Sequence, residues 1–375
     1  MVSGDRQVAI GEMGPFFAMQ REFSRHFERI DVLCPRPDTA PTVSTIHERV
    51  HLHPADVGRS DMVRWIVAKG RELIEEHGAS LIVSHDYGRF YNGRASARLS
   101  HETGVPYVSE IHHVPGHPVA ADLRERFEKQ VTRAYVRWAR SRAVAFRVVN
   151  HVEMPALLAR WGVPKEQILV LPSLYIDFDV FHASADPVPC EQDVCFVGRM
   201  VNNKGLARIV DALAALDRQG MPLRALFVGK GPLLADTEAR VQKRGLADRV
   251  RFVEWVESPS DLADIYRRSR VVVCASTCEG GPRFTVEAMA CGTPVVSTPV
   301  GVMLELIRNG ENGQLVGFDV DSLADGLRQV LEDEPRRRAL GARALQDVQG
   351  FEYTRTIRGY ADGLKALAAA RKCAP

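Results

Sequence analysis

Residues 271–297 have the sequence VVVCASTCEGGPRFTVEAMACGTPVVS, and this stretch decides the predicted fold. Two β-branched apolar runs, Val271–Ala275 and Pro294–Ser297, enclose a Gly-Gly-Pro loop and a helical pattern. A strand, a helix and a second strand in this order are typical of a parallel βαβ unit. The stretch therefore predicts an α/β fold built on a parallel sheet.

The same alternation of strands and helices continues along the whole chain. Further strands are predicted at Gln7–Gly11, Arg29–Cys34, Ser80–Ser84, Pro106–Ile111, Val144–Val149, Asp193–Val197, Arg224–Val228 and Arg249–Phe252, with a helix at Leu206–Asp217. The proline-containing stretch Leu171–Pro189 has no periodicity and is predicted to link two Rossmann-like, doubly wound domains that face a central cleft. The predicted domains are 1–175 and 176–350, followed by a C-terminal helix over 351–375 that packs back toward the first domain.

Composition excludes several classes of protein. The 375 residues include 49 Lys and Arg against 47 Asp and Glu, without the basic excess of a nucleic-acid binder. The seven cysteines form no C-x-x-C pair, which favours a reducing compartment. We find no apolar run long enough to span a membrane and no signal peptide, so we expect a cytoplasmic protein.

The loop between the two strands of the opening stretch is the strongest candidate site. Backbone amides near Gly280, Gly281 and Arg283 precede or open a helix and are expected to converge on an anion. Glu279 in the loop and Glu287 in the helix can accept hydrogen bonds from hydroxyl pairs, as in a sugar or a ribose. The alternative is a loop followed by a solvated helix face.

A second candidate follows the strand at Asp193–Val197. Gly198 permits a tight turn, and Arg199 and Lys204 place two cations beside the N-terminus of the Leu206 helix. This pattern is typical of a diphosphate site that needs no metal, whereas the alternative is a pair of solvated cations. The sequence Gly229-Lys230-Gly231-Pro232 ends another strand and, taken alone, predicts a tight turn.

Histidines stand at the ends of two predicted strands of the first half. His85, His112 and His113 are placed to orient a substrate hydroxyl or support a transition state, although a satisfied or solvated histidine is the alternative for each. His47, His51 and His53 have ligand-like spacing, but no Cys or carboxylate cluster accompanies them. No metal site is predicted.

The segment 119–147 has two interpretations. It carries eight basic and three acidic side chains, with Leu123, Phe127, Val131, Tyr135 and Trp138 at helical spacing. The pattern favours an amphipathic helix packed on its own sheet. The alternative is peripheral docking on an anionic membrane surface.

Taken together, these motifs resemble those of retaining GT-B glycosyltransferases with an E-x7-E motif, the group 1 and family 4-like enzymes. The resemblance covers most of the chain and is densest over 194–317. It implies that Glu279 contacts the donor sugar, that Glu287 binds the ribose, and that the backbone around Gly281 and Pro282 lies beside sugar and phosphate. It also assigns Arg199 and Lys204 to the diphosphate, the Gly229–Pro232 turn to the donor side, Trp255 and Val256 to the base pocket, and His112 to the transferred sugar. The glycine loop of the family is represented here only around Gly14, and this departure leaves the acceptor contacts open.

The expected activity is metal-independent transfer of a hexose-type sugar from a nucleotide sugar to an acceptor hydroxyl, with no cofactor. A GT-B epimerase or sugar phosphorylase keeps the fold and changes the reaction. A non-catalytic sugar-binding protein is a further alternative. An NAD-dependent dehydrogenase is disfavoured because no complete G-x-G-x-x-G follows the first strand. The sugar, the nucleobase and the acceptor are not identified by the sequence.

Overall fold

Both halves of the chain form sheets whose strands alternate with helices, and every strand pairing is parallel except the antiparallel pairing of Thr45–Ile46 with Val50–Pro54 in the first half. The computed structural model describes residues 1–186 and 188–372. The strands are β1 (Ile30–Cys34), β2 (Thr45–Ile46), β3 (Val50–Pro54), β4 (Ile82–His85), β5 (Tyr107–Glu110), β6 (Ala145–Val148), β7 (Ile168–Val170), β8 (Gln192–Val197), β9 (Ala225–Val228), β10 (Val250–Val253), β11 (Ser269–Cys274), β12 (Val295–Ser297) and β13 (Gln314–Leu315). The helices are α1 (Pro15–Phe23), α2 (Met62–His77), α3 (Tyr91–Thr103), α4 (Leu123–Ala139), α5 (Glu153–Arg160), α6 (Leu206–Arg218), α7 (Leu234–Lys243), α8 (Pro259–Arg267), α9 (Arg283–Ala290), α10 (Met303–Leu306), α11 (Val320–Leu331), α12 (Glu334–Asp347) and α13 (Tyr353–Lys372).

The sheet of the second half has the strand order β10-β9-β8-β11-β12-β13, with all pairings parallel. The chain builds outward from β8 in one direction and from β11 in the other, so the order reverses between these two strands. Doubly wound sheets bind ligands at such a reversal, outside the carboxyl ends of the strands. The loops that follow β8 and β11 therefore lie where a ligand is expected.

The strand order of the first half also reverses, at a point where a single residue, Val2, joins its two sheets. Val2 forms parallel bridges to both Leu33 in β1 and Ser84 in β4. It thereby connects the β1-β3-β2 sheet to the β4-β5-β6-β7 sheet, and the strand order reverses beside it. The segment that follows Val2 and the loop that follows β4 thus flank the ligand crevice of this half.

One predicted strand is wrong. Residues Val8–Ile10 form a 3-10 helix instead of a strand. Asp5 Oδ1 accepts the backbone N–H groups of Gln7 (2.8 Å) and Val8 (2.9 Å), which caps this turn and draws the chain away from the sheet. The other predicted strands are confirmed, while the short strands β2, β3, β7 and β13 were not predicted from the sequence.

The linker and the last helix connect the halves. Ile176 N donates to Phe351 O at 2.7 Å, where the linker meets the segment before α13. Further along α13, the Tyr360 hydroxyl donates to Glu110 at the end of β5. The last helix therefore lies on the first half of the molecule. Among the described residues, no helix combines the length and the apolar character needed to cross a bilayer.

Candidate active site

The loops after β8 and β11 are joined to each other at the strand-order reversal of the second half. Thr277 N donates to Asn203 O at 2.8 Å, and Asn203 Nδ2 donates to the Cys278 carbonyl at 3.1 Å. Gly205 has φ +69°, and a Cβ there would lie 2.2 Å from the Ala275 carbonyl oxygen, so a side chain does not fit. These contacts bring the two predicted anion-binding loops to one point.

Lys204 and Glu279 form an ion pair at this point. Lys204 Nζ donates to Glu279 Oε1, and the same oxygen accepts the Ser276 hydroxyl at 2.9 Å. Lys204 Nζ also lies 5.8 Å from the ring centroid of Phe284 in the first turn of α9. Arg199 is exposed nearby in sequence, and its guanidinium pairs with no carboxylate in the part of the chain that the structure describes. The site thus offers one cation bound to Glu279, a second unpaired cation and a helix N-terminus.

The turns after β8 and β9 are packed backbone to backbone. A Cβ on Gly229 would lie 2.1 Å from the Gly198 carbonyl oxygen, and one on Gly231 would lie 2.5 Å from the Met200 carbonyl oxygen. Gly198 N donates to Val228 O at 2.9 Å, which fixes the two turns against each other. Gly198, Gly229 and Gly231 therefore allow a close approach of main chains beside the Lys204 loop.

The backbone between Glu279 and α9 faces the first half of the molecule. A Cβ on Gly280 would lie 2.4 Å from the His112 carbonyl oxygen, so the Glu279 loop and His112 meet across the cleft. Gly281 packs beside Leu174 of the linker, and Pro282 is the N-cap residue of α9. Gly280 and Gly281 thus contact the first half and the linker, respectively, and Pro282 begins the helix that follows.

Arg283 and Glu287 lie one turn apart on the same face of α9. The buried Glu287 carboxylate accepts the Tyr266 hydroxyl at 3.1 Å. Burial raises the pKa of Glu287, an effect that Arg283 and Tyr266 oppose. Arg283 stacks over the Tyr175 ring at 4.2 Å and donates to the Tyr175 carbonyl at 3.2 Å. Glu287 is held rigidly, and Arg283 is fixed against the linker.

Trp255 and Val256 lie in the loop after β10, next to the turn that follows β9. Trp255 is 71% exposed, and Lys230 Nζ lies 5.4 Å from its ring centroid. Val256 is half-buried and packs against the core of the second half. An exposed indole beside a half-buried aliphatic side chain is suited to covering a planar base.

At the carboxyl ends of β4, β5 and β6, a largely buried cluster of charged and polar side chains meets Tyr360 of α13. This cluster, called the Glu110 cluster below, consists of His85, Glu110, His112, Arg147 and Tyr360. Glu110 Oε2 lies 3.2 Å from Arg147 Nη1 and 3.1 Å from His85 Nε2, and Tyr360 donates to Oε1. Burial raises the pKa of Glu110, but Arg147, His85 and His112 outweigh burial and hold it well below its ordinary value. Glu110 is therefore a carboxylate.

Arg147 fixes the protonation of His112. Arg147 Nη1 donates to His112 Nε2 at 3.1 Å, so the neutral ring carries its proton on Nδ1. The His112 side chain is 47% exposed, yet its enclosed position between the two halves, and to a smaller extent Arg147, lowers the pKa of the ring to about 4. Glu110, whose Oε2 lies 3.5 Å from Nε2, opposes this shift. His112 is a neutral hydrogen-bond donor at physiological pH.

A cavity of about 430 Å³ opens over the Glu110 cluster between the two halves of the chain. Its walls include the segment after Val2, the start of α1, the linker and the start of α9; they are lined by Ser3, Asp5, Pro15, Phe16, Met19, Tyr87, Ser173, Tyr175 and Arg283. Gly14 is the N-cap of α1, and its neighbours line the cavity rather than Gly14 itself. His113 lines an adjoining space of about 160 Å³ with His85 and His112.

The two halves are also joined beside this cavity by α5. Gly301 N donates to Glu153 Oε2 at the start of α5, and Asn150 Nδ2 donates to Gly280 O at 3.4 Å. Glu153 is buried at this contact. Burial raises the pKa of Glu153 to about 7, with Glu279 and Glu305 contributing in the same direction.

Sequence analysis missed Glu110, Arg147, Tyr360 and Glu153. A signal for two of them was present, because Glu110 and Arg147 are charged residues inside otherwise apolar predicted strands. Such residues are rarely buried without a partner. Tyr360 and Glu153 stand in ordinary helical patterns and carried no such signal. Within 1–186 and 188–372, no group of three His, Cys, Asp or Glu side chains is arranged to hold a metal ion, and His53 binds Asp31 at 2.8 Å.

Comparison with known proteins finds glycosyltransferases for both halves of the chain. A family model described as "Glycosyl transferases group 1" matches residues 178–347, and one described as "Glycosyl transferase 4-like domain" matches residues 17–173. D-inositol 3-phosphate glycosyltransferase 1 of Catenulispora acidiphila is 30% identical over 71% of this chain and 68% of its own length. The 2-deoxystreptamine glucosyltransferase of Streptomyces kanamyceticus is 28% identical over 72% of this chain and 73% of its own length.

The match to other relatives is shorter. A D-inositol 3-phosphate glycosyltransferase of Nocardia farcinica is 32% identical over 57% of this chain, and the chain spans about half of that relative's length, 51%. Among solved structures, Anabaena HepE in complex with UDP and glucose superimposes with a TM-score of 0.75 at 20% identity. That superposition covers 97% of this chain and 98% of HepE.

Proposed function

The chain belongs to the glycosyl transferases group 1 family and has the GT-B fold, and from this premise we propose that it transfers a hexose-type sugar from a nucleotide sugar to an acceptor hydroxyl. We propose further that the transfer retains the configuration of the anomeric carbon and requires no metal ion. The observation that carries the proposal is the meeting of Lys204, Glu279 and the N-terminus of α9 at the strand-order reversal of the second half.

The donor diphosphate would bind at this meeting point. Breaking the glycosidic bond leaves negative charge on the nucleotide, and Arg199, Lys204 and the first amides of α9 are placed to stabilise that charge. Lys204 would exchange part of its contact with Glu279 for a phosphate oxygen. Glu279 would then accept a hydrogen bond from a sugar hydroxyl, and Glu287 would accept the ribose hydroxyls. These cations supply the charge that a divalent metal supplies elsewhere.

His112 would assist from the first half. Its Nδ1–H can donate to a hydroxyl of the transferred sugar, while Nε2 is occupied by Arg147. Neutral His112 therefore orients the sugar and does not accept the acceptor's proton through Nε2. We propose attack of the acceptor hydroxyl on the face that the nucleotide leaves, without a covalent sugar–protein intermediate: the new bond to the anomeric carbon forms as the bond to the diphosphate breaks, and the hydroxyl proton passes to the departing diphosphate oxygen.

A panel of nucleotide sugars tests the reaction. The purified chain is incubated with UDP-, GDP- and ADP-hexoses, with and without chelator, and nucleotide release and the anomeric configuration of the product are followed by NMR. UDP-glucose is the first donor to test because HepE was solved with UDP and glucose. We expect the product to keep the anomeric configuration of the donor and the rate of turnover to be the same with and without chelator. Epimerised donor, use of inorganic phosphate as acceptor, hydride transfer to NAD or binding without turnover would each point to another function.

Replacing Lys204 tests the diphosphate site. Lys204→Ala should lower kcat/KM for the donor by about 100-fold, since removing one group that stabilises a leaving group costs about 3 kcal/mol. Lys243→Ala removes an exposed lysine at the end of α7 and should leave donor turnover unchanged. If Lys204→Ala turned over the donor as fast as the wild type, Lys204 would not be part of the donor site.

Helix α4 carries a proposal about a second partner, an anionic membrane surface. Tyr135 and Val136 pack into the core, whereas Leu123 and Phe127 are 79% and 69% exposed. The exposed face also includes Arg126, Arg133, Arg137, Arg140 and Trp138. Apolar side chains between arginines match the acyl boundary and the phosphates of an anionic bilayer. The structure thus divides the predicted apolar stripe between the core and the solvent, and we propose peripheral membrane contact through its exposed part.

A further inference from the structure

We propose that the acceptor ring bound in the 430 Å³ cavity is a small polyol that carries no phosphate or carboxylate, and that Asp5 helps to exclude such groups. This inference rests on the proposed function, because it assigns the acceptor to the cavity that faces the Glu279 loop. It concerns the charge of the acceptor, which the proposed transfer reaction itself leaves open.

The cationic side chains of the cavity are already engaged. Four formally charged residues line it, namely Asp5, Glu110, Arg147 and Arg283. Arg147 is 1% exposed, donates to Leu171 O from Nε (2.8 Å) and Nη2 (2.5 Å), and has its face covered by the Tyr360 ring at 3.8 Å. Its remaining contacts go to Glu110 and His112. An acceptor anion therefore has no access to this guanidinium.

The other cation belongs to the donor side of the cavity. Arg283 is the first residue of α9, and it is held by the ring and the carbonyl of Tyr175. It lies on the helix whose N-terminus faces the proposed diphosphate position. Positive charge is thus concentrated where the leaving nucleotide would be.

On the side of the cavity proposed to bind the acceptor, the charged group is the carboxylate of Asp5. Asp5 Oδ1 caps the turn at Gln7 and Val8, whereas Oδ2 accepts no hydrogen bond from residues within the described ranges. Asp5 lies in the segment after Val2 and lines the cavity, whereas the charge of the fully buried Glu110 is offset by Arg147. A phosphate placed here would meet a carboxylate at reduced dielectric constant and lose its water shell without a cationic partner. Hydroxyl or ammonium groups would find acceptors instead.

The remaining walls also fit a polyol ring. Phe16, Tyr87, Tyr175 and Tyr360 surround the cavity with aromatic faces and edges. Such surfaces pack against the C–H faces of a saturated ring, while the polar groups of the Glu110 cluster serve its hydroxyls. By their names, relatives of this chain act on both D-inositol 3-phosphate and 2-deoxystreptamine. The cavity chemistry favours the unphosphorylated type.

Matched acceptor pairs test this inference. Myo-inositol and inositol 3-phosphate, glucose and glucose 6-phosphate, and 2-deoxystreptamine as an amine-bearing cyclitol are offered to the full chain together with the nucleotide or nucleotide sugar that the donor panel selects. Binding is measured by calorimetry and transfer by product formation. We expect the unphosphorylated member of a pair to show at least about tenfold higher affinity or kcat/KM, corresponding to about 1.4 kcal/mol. Failure of all members to bind would overturn the inference, since the cavity would then not take a small polyol.

Two variants complete the test. Asp5→Asn keeps the oxygen that caps Gln7 and Val8 but removes the charge, so use of the phosphorylated members should rise about tenfold while the KM for the donor stays unchanged. Asp56→Asn, an exposed aspartate outside the cavity, is the matched control and should alter neither.

A separate cavity of about 410 Å³ is lined by Arg6, Arg36 and Arg59. Preference for phosphorylated acceptors that Arg59→Ala abolishes would place the acceptor anion there and overturn the inference.

The outcomes separate the two proposals. A chain that neither binds UDP or another nucleotide nor consumes a nucleotide sugar would contradict the proposed function. A chain that binds nucleotide and consumes donor, but prefers anionic acceptors, would contradict only the inference about acceptor charge.

Discussion

At the scale of single residues, burial lowers the pKa of His112, and a partner 35 positions away in the chain, Arg147, decides which ring nitrogen carries the proton. The guanidinium donates to Nε2 and disfavours a second proton on the ring. Arg147 is in turn neutralised by Glu110 and pinned by Leu171 O. These contacts leave Nδ1 of His112 as its hydrogen-bond donor. They also occupy the Arg147 guanidinium, so that it is not available to a ligand in the cavity.

The pH dependence of turnover checks this assignment. The pKa of His112 is lowered to about 4, so the ring is neutral above that value and becomes charged only as the pH falls through it. We expect kcat/KM to show no ionisation of His112 between about pH 5 and 8, the range in which an ordinary histidine titrates. Histidine Cε1–H chemical shifts measure the titration directly, with His112→Asn assigning the signal and His182→Asn serving as control. An inflection near pH 6.5 that His112→Asn removes would contradict the assignment.

At the scale of elements, α4 combines a buried and an exposed apolar face. Tyr135 stacks on Phe90 at 4.2 Å and anchors the buried face, and Asp122 caps the helix. Asp122 Oδ2 also accepts Asn202 Nδ2 at 3.1 Å, so α4 begins at the mouth of the cleft beside the Lys204 loop. A bilayer bound to the exposed face would lie next to the entrance of the site.

Liposome sedimentation tests this placement of α4. The chain should bind vesicles containing phosphatidylglycerol and should not bind phosphatidylcholine vesicles, since each arginine near an anionic surface contributes about 1 kcal/mol. Combining Arg126→Gln with Arg133→Gln should weaken binding at least about tenfold, and Phe127→Ser should weaken it further. Arg218→Gln with Arg251→Gln, at exposed sites on α6 and β10, is the matched control. If the two double variants bound vesicles equally well, α4 would not be the docking surface.

At the scale of the whole molecule, the halves meet through contacts that include a buried carboxyl group. Glu153 of the first half accepts Gly301 N of the second, close to Glu279 and Glu305. A charged Glu153 at this position is repelled by both carboxylates. We therefore expect the contact between the halves to depend on pH.

Thermal unfolding of Glu153→Gln measures this coupling. The pKa of Glu153 is raised from 4.5 to about 7, so the native state holds the proton more tightly than the unfolded chain. Its stabilising effect is complete below about pH 4.5 and is lost as the pH rises through 7. Wild-type stability should fall over this range by up to about 3 kcal/mol relative to Glu153→Gln, which keeps a neutral acceptor for Gly301 N. Glu166→Gln, an exposed control, should follow wild type; parallel curves for all three proteins would refute the coupling.

The sequence by itself determined the elements whose signals lie in neighbouring residues. The β11–α9–β12 unit and the loops carrying Arg199, Lys204 and Glu279 were predictable because strand periodicity, turn glycines and helix starts are local patterns. They specified both the fold class and the donor-side candidates. The strand predicted at Gln7–Gly11 failed because Asp5, a single capping side chain, outweighed an apolar run.

Only the tertiary structure decided which distant side chains meet. Tyr360 reaches Glu110 across 250 positions, and Glu153 reaches Gly301 across 148. No periodicity encodes such pairs, because they depend on how the linker and α13 bring the two sheets together. The charge of the 430 Å³ cavity, the proton on His112 and the exposed face of α4 all follow from this packing, since burial and partner choice set the state of a polar group.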